Sequence, residues 1–116
     1  MSAFDKYQKK ALTTAMPLAT GEREDSPLGG LLYNAVGLSG EAGEFLEKVK
    51  KLWRDQSGPS DWEKELLAKE LGDALWYIAN AADVLGFKLN DIAEMNLQKL
   101  RVRKDEDKLY GEGDER

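Results

Sequence analysis

Hydrophobic positions recur three and four residues apart along most of this chain, the period of an α-helix buried on one side. From Ala3 to Ala15, Phe4, Tyr7, Ala11 and Leu12 alternate with charge and predict a first helix. Pro17, Gly21 and Pro27 punctuate the polar stretch from Met16 to Pro27, which reads as a loop. The longest periodic run goes from Leu28 to Arg54, where Leu31, Ala35, Leu38, Ala42, Phe45, Val49 and Trp53 form a stripe expected to be core. A second stripe, Asn34, Gly37, Glu41, Glu44 and Lys48, lies about 100° round the same helix, so its carboxylates are expected to flank the core. Asp55 to Pro59 is a turn, and Ser60 followed by Glu63 is a capping-box signal for the next helix. That helix runs to about Leu85, with Leu67, Leu71, Ala74, Leu75, Ile78, Ala82 and Leu85 on its apolar face. Glu70, Asp73, Tyr77 and Asn80 sit on its flank at the same offset as the acids before. Gly86 stops it, and Asn90 is the expected cap of a fourth helix carrying Ile92, Met95 and Leu100. The charged end, 105–116, reads as an extended tail. The pattern predicts one all-α domain over 1–116, an antiparallel bundle of about four helices.

Composition narrows this picture. A 116-residue chain fits one domain, but a single layer of helices gives a thin core, so burial across a subunit interface is expected. The 41% hydrophobic content fits a folded protein and the 34% charged content a long solvated helical surface. There is no cysteine, which excludes disulfides and thiolate metal sites. There is no histidine, which removes most zinc sites, histidine bases and Glu-x-x-His ligand pairs. A net charge of −5 disfavours nucleic-acid binding and means that a phosphate ligand needs a metal or placed cations. No apolar run approaches the roughly 18 residues of a membrane span, and Met1 to Lys10 lacks the apolar stretch of a secretory signal. A soluble cytoplasmic protein is the expectation.

Candidate chemistry lies in two phrases, Glu41-Ala42-Gly43-Glu44 and Glu70-Leu71-Gly72-Asp73. Acids three apart share a helix face. The spacing alone decides nothing, because six such pairs occur in the chain where roughly four follow from acid frequency. Context separates these two. Both lie mid-helix beside an apolar stripe, both hold a glycine, and their helices are sequence neighbours, which a short turn makes antiparallel and adjacent. Four converging carboxylates repel unless a hard cation joins them, so a magnesium site is expected. The alternative is a pair of solvated helix flanks. Each mid-helix glycine costs about 1 kcal/mol relative to alanine, and close helix–helix approach would account for both.

Glu41-x-x-Glu44, 25 intervening residues and Glu70-x-x-Asp73 resemble the signature of the all-α nucleoside triphosphate pyrophosphohydrolases, which include the MazG-like proteins and the dimeric dUTPases. The wider phrases Gly37-Leu38-Ser39-Gly40-Glu41-Ala42-Gly43-Glu44 and Glu70-Leu71-Gly72-Asp73-Ala74-Leu75-Trp76-Tyr77 are close to the MazG-like version. Tyr7-Gln8, the run Asn96 to Leu100 with Arg103, and the ending Gly111 to Arg116 are also similar, so the resemblance spans nearly the whole chain. It implies a helical bundle that forms a homodimer or homotetramer. It also implies cleavage of (deoxy)nucleoside triphosphates between the α- and β-phosphates, giving a nucleoside monophosphate and pyrophosphate in nucleotide-pool control. The motif carries the metal-ligand role onto Glu41, Glu44, Glu70 and Asp73, with Mg²⁺ as the ion and Mn²⁺ as its substitute.

Other residues receive expectations on chemical grounds. Glu44 is the candidate general base. Glu47 points off the acidic stripe and ranks below the four acids. Lys99 and Arg103, four apart on the last helix, are candidates for the substrate phosphates, against ordinary solvated charges. Asn80 is a candidate for base or sugar, against a buried polar contact. Lys48 is expected to pair with Glu44 at i,i+4, and Lys50, Lys51 and Arg54 to suit a helix C-terminus. Trp53, Trp62, Trp76 and Tyr77 are core or interface residues, or stack on a nucleobase. The competing functions are a non-enzymatic helical oligomerisation module and a phosphohydrolase of other regiochemistry.

Overall fold

A computed structural model describes residues 1–20 and 26–106. Its helices are α1 (Ala3–Leu12), α2 (Pro17–Thr20), α3 (Pro27–Arg54), α4 (Asp61–Val84) and α5 (Leu89–Asp105), with no strand among the described residues. The all-α bundle read from the periodicity is what forms. Local chemistry sets most boundaries. Ser2 Oγ accepts the Asp5 N–H at the start of α1, and Ser26 Oγ accepts the Leu28 N–H at the start of α3. Ser60 and Glu63 make the expected capping box, each side chain accepting the other's backbone N–H. Gly86, at φ +81°, closes α4 with the Phe87 N–H on the Ala82 carbonyl and its own N–H on Asp83. The same motif ends α3, but there Gln56 takes the left-handed position at φ 55°.

Three boundaries depart from the sequence reading. α1 stops at Leu12 rather than Ala15, because the Thr13 and Thr14 hydroxyls donate back to the Lys10 and Ala11 carbonyls. The expected loop contains a helical turn, α2, whose Ala19 is fully buried and whose Ala19 carbonyl accepts from Asn34 Nδ2 at 2.8 Å. Asn90 does not cap α5. The cap position is Lys88, whose side chain makes no such bond, and α1 supplies the acceptors instead. Gln8 Oε1 takes the Leu89 N–H at 2.9 Å and Asp5 Oδ1 takes the Asn90 N–H at 3.1 Å. Gln8 Nε2 also donates to the Ala79 and Phe87 carbonyls, so one buried glutamine ties α1 to the end of α4 and the start of α5. Residues 21–25 of the loop and 107–116 of the expected tail lie outside the described residues.

α3 and α4 form the central pair. Gly37 lies against Tyr77, Glu41 borders one groove with Asp73, Lys48 bonds Glu70, and Leu52 lines a cavity with Leu66. Partners that descend along α4 as they ascend along α3 define an antiparallel pair. This packing turns α3 away from its expected orientation. Asn34 packs on α2, and Gly37, Glu41 and Lys48 face α4, so the stripe expected to flank the core lies in the seam. The stripe expected to be core is turned outward at Ala35, Ala42, Val49 and Trp53, and Trp53 is 77% exposed. The physical reason is at Gly37, where a Cβ would overlap the Tyr77 ring. Gly43 and Gly72 face open space and serve no close approach within the protomer. Buried apolar side chains are mostly small: Ala11, Ala19, Ala79, Ala82 and Leu89, with Tyr7, Leu75, Trp76 and Ile78 packed against the cluster of Ala11, Ala79 and Leu89.

Candidate metal centre

Three of the four predicted acids meet. Glu41 and Glu44 project from successive turns of α3 toward Glu70 on α4, and one oxygen from each lies within 4.8 Å of the other two. Asp73, one turn further along α4, stands outside that triad. It borders the adjoining groove of about 350 Å³ with Glu41, Trp76 and Tyr77. Lys48 is not paired with Glu44 along its own helix. Its Nζ crosses to α4 and donates to Glu70 Oε1 at 2.8 Å.

The electrostatics of the cluster follow from the crowding of its carboxylates. Hydrogen bonding to Glu70, then burial, then the charges of Glu44, Asp73 and Glu70 push the Glu41 carboxyl up to about 7. Glu70 moves the other way, held below the usual carboxylate range first by Lys48 and then by its hydrogen bonds with Glu41. The Oε2 atoms of both Glu41 and Glu70 are buried, and neither accepts from an N–H or hydroxyl donor of the protein. Solvated helix flanks would not bury carboxylate oxygens against one another in this way. Clustered oxygens with unmet acceptor capacity are the donor set of a hard divalent cation, so these residues fit a magnesium or manganese ion.

Aromatic rings wall the groove beside the acids. Trp76 and Tyr77 pack edge to face, with centroids 5.0 Å apart at 88°, and Tyr33 approaches Tyr77 at 6.3 Å. The Trp76 indole N–H donates to Thr14 Oγ1 at 2.8 Å, which anchors the ring to the end of α1. Burial, then the charge of Tyr33 and the nearby carboxylates, raises the Tyr77 hydroxyl above its ordinary value. Sequence reasoning missed Tyr33 and the part played by Gly37. The signal was present, since Tyr33, Gly37 and Glu41 stand four apart and share one face of α3.

The remaining candidates lie elsewhere. Asn80 is 1% exposed and donates Nδ2 to the Trp76 carbonyl, the buried polar contact weighed against substrate binding. Lys99 is half-buried and Arg103 6% exposed on α5, which packs on α1 and α4. Glu47 bonds Lys50 and lies near Lys51, outside the cluster. Arg54 pairs with Asp55. Trp62 is exposed at the rim of a separate cavity near the α3–α4 turn. No described helix is long and apolar enough to cross a membrane.

Residues 31–106, which contain all four acids, match the MazG nucleotide pyrophosphohydrolase domain. The Gene 37 protein of Mycobacterium phage L5 is 42% identical over 113 residues, covering 97% of each chain. No solved structure matches. With the family match spanning α3, α4 and α5 and enclosing the carboxylate triad, the chain belongs to the MazG nucleotide pyrophosphohydrolase family.

Proposed function

We propose that the chain hydrolyses (deoxy)nucleoside triphosphates at the α–β phosphate bond, releasing a nucleoside monophosphate and pyrophosphate, with Mg²⁺ as cofactor. The observation that carries this is the convergence of Glu41, Glu44 and Glu70 within 4.8 Å in a chain of this family. Those three residues would hold the ion, with Asp73 at the edge of the same site. A bound divalent ion offsets charge on the phosphate oxygens and acidifies a coordinated water. The protein's own contribution is positional. Glu70 is fixed by Lys48, and Glu41 is poised between protonated and ionised forms. Glu44 is the most exposed of the three, so it is the carboxylate that solvent reaches and the one proposed to take a proton from the attacking water. The groove beside Glu41 and Asp73 is lined by Trp76 and Tyr77, aromatic side chains suited to a nucleoside. A panel of deoxy- and ribonucleoside triphosphates, with and without Mg²⁺, tests the reading by its products. Pyrophosphate supports it. Orthophosphate points to a different regiochemistry, and absence of turnover by folded protein refutes it.

The assembly proposed with this activity is a homodimer or homotetramer. Leu28, Leu32, Val36, Leu46 and Trp53 leave an apolar strip of α3 open to solvent, the kind of surface that a protein interface covers. The mid-helix glycines Gly40 and Gly43 face open space on the same helix, where another backbone can approach closely.

A further inference from the structure

We propose that Lys48 is the resident counter-ion of the acidic site, holding Glu70 while no divalent ion is bound and passing to the terminal phosphates of the substrate when one is. This rests on the magnesium-site reading above. Lys48 follows Glu44 by one helical turn and Glu41 by two, so it shares their face of α3. Its ammonium sits 2.8 Å from Glu70 Oε1, on one of the three carboxylates that form the triad. Glu70 is nearly enclosed, at 14% exposure, while Lys48 keeps 40%. The carboxylate is thus fixed and the ammonium is the mobile partner, on a long flexible stem. A divalent ion and an ammonium on the same carboxylate repel each other, so Lys48 has to give way as Glu70 becomes a metal ligand.

The fold provides the place it goes. In the antiparallel register of α3 and α4 the features fall in a line: the aromatic groove at Glu41, Asp73, Trp76 and Tyr77, then the acid triad, then Lys48. Beyond it lies a cavity of about 220 Å³ lined by Lys48, Lys51, Leu52, Trp62 and Leu66. Along the α3–α4 pair the groove is lined at Glu41 and at Asp73 to Tyr77, and the cavity at Lys48 to Leu52 and at Leu66 and Leu67, so the two flank Glu44 and Glu70 along the seam. A nucleoside triphosphate is linear in the same sense, with an aromatic base at one end and its β- and γ-phosphates at the other. With the nucleoside in the groove and the scissile phosphate at the triad, the pyrophosphate end falls on the lysine side. Asp55 and Glu63, the acids on that cavity, are already engaged, by Arg54 and by the Ser60 cap. Lys48 is therefore a positioning residue in the metal-free protein and a phosphate ligand in the loaded one.

Calorimetry with Mn²⁺ alone, then with inorganic pyrophosphate in the presence of Mn²⁺, tests this on native protein, Lys48→Met and Lys48→Arg. Removing a competing cation should make Lys48→Met bind Mn²⁺ about fivefold more tightly. The same variant should bind pyrophosphate at least about tenfold more weakly, because a charge-assisted hydrogen bond is lost. Lys48→Arg should stay near native for Mn²⁺, which separates charge from packing. Unchanged or weaker Mn²⁺ binding by Lys48→Met overturns the proposal, as does unchanged pyrophosphate affinity. Failure of the native protein to bind Mn²⁺ overturns the magnesium-site reading as well, so the two failures are distinguishable. Should the methionine variant not fold, the side-chain NMR signals of Lys48 in native protein decide. They should move on adding Mg²⁺ and move again on adding pyrophosphate, and no response to Mg²⁺ overturns the proposal.

Discussion

Glu41 is strained by its neighbours, and that sets two expectations at the scale of single residues. Its carboxyl is raised to about 7 from an ordinary value of 4.5, so in the metal-free fold it keeps a proton that the unfolded chain has already lost. Stability contributed at this position therefore falls as pH rises from 4.5 to about 7. Glu70 is shifted down and acts oppositely, its contribution present above the usual carboxylate range and lost on acidification. Glu41→Gln removes one of the crowded charges. It should raise the melting temperature in chelator near pH 8 while lowering triphosphate hydrolysis about a hundredfold or more, the upper scale on which even the supporting partners of a metal matter. A fall in both would mark Glu41 as merely structural. The pH dependence is a separate check. Metal binding has to displace the Glu41 proton, so Mn²⁺ should release about one proton at about pH 6 and almost none at about pH 8.5. Calorimetry in buffers of different ionisation enthalpy reads that number directly.

The elements show where sequence pattern succeeds and where it fails. Ser60-x-x-Glu63 and Gly86 were legible because a cap is local chemistry, settled within a few residues of chain. The rotation of α3 was not legible. Its apolar stripe outranks its polar stripe in hydropathy, but the polar stripe packs on α4 because Gly37 admits a ring and Lys48 finds Glu70 across the seam. Both are relations between helices, which a single helical wheel does not contain. The start of α5 was missed for the same reason, since its acceptors stand on α1. The two acidic phrases were legible as a pair, and three of their four carboxylates do meet. One element end remains suboptimal. Gln56 holds a left-handed backbone position, with its side chain braced on the Trp53 carbonyl. Gln56→Gly should relieve a cost of about 1 kcal/mol, and chemical denaturation should show a higher midpoint at unchanged slope.

At the scale of the molecule, the protomer is more extended than its length requires. Its radius of gyration is 16.8 Å, whereas a compact domain of this size has about 13 Å. An alanine-rich core and an apolar outer strip on α3 leave much apolar surface unburied within the protomer, which supports the proposed homodimer or homotetramer. A charge on that strip, as in Leu46→Glu, should shift the mass seen by light scattering toward the monomer and lower thermal stability, while Lys64→Glu at an exposed position of α4 should do neither. The glutamine clasp has a consequence for synthesis. Its contacts join residues 71, 79 and 81 positions apart, and the Asp5 contact spans 85. The Gln8 side chain thus waits for α4 and the start of α5 to be made before its partners exist, and a nascent chain halted before Phe87 has emerged should remain open to protease along α1.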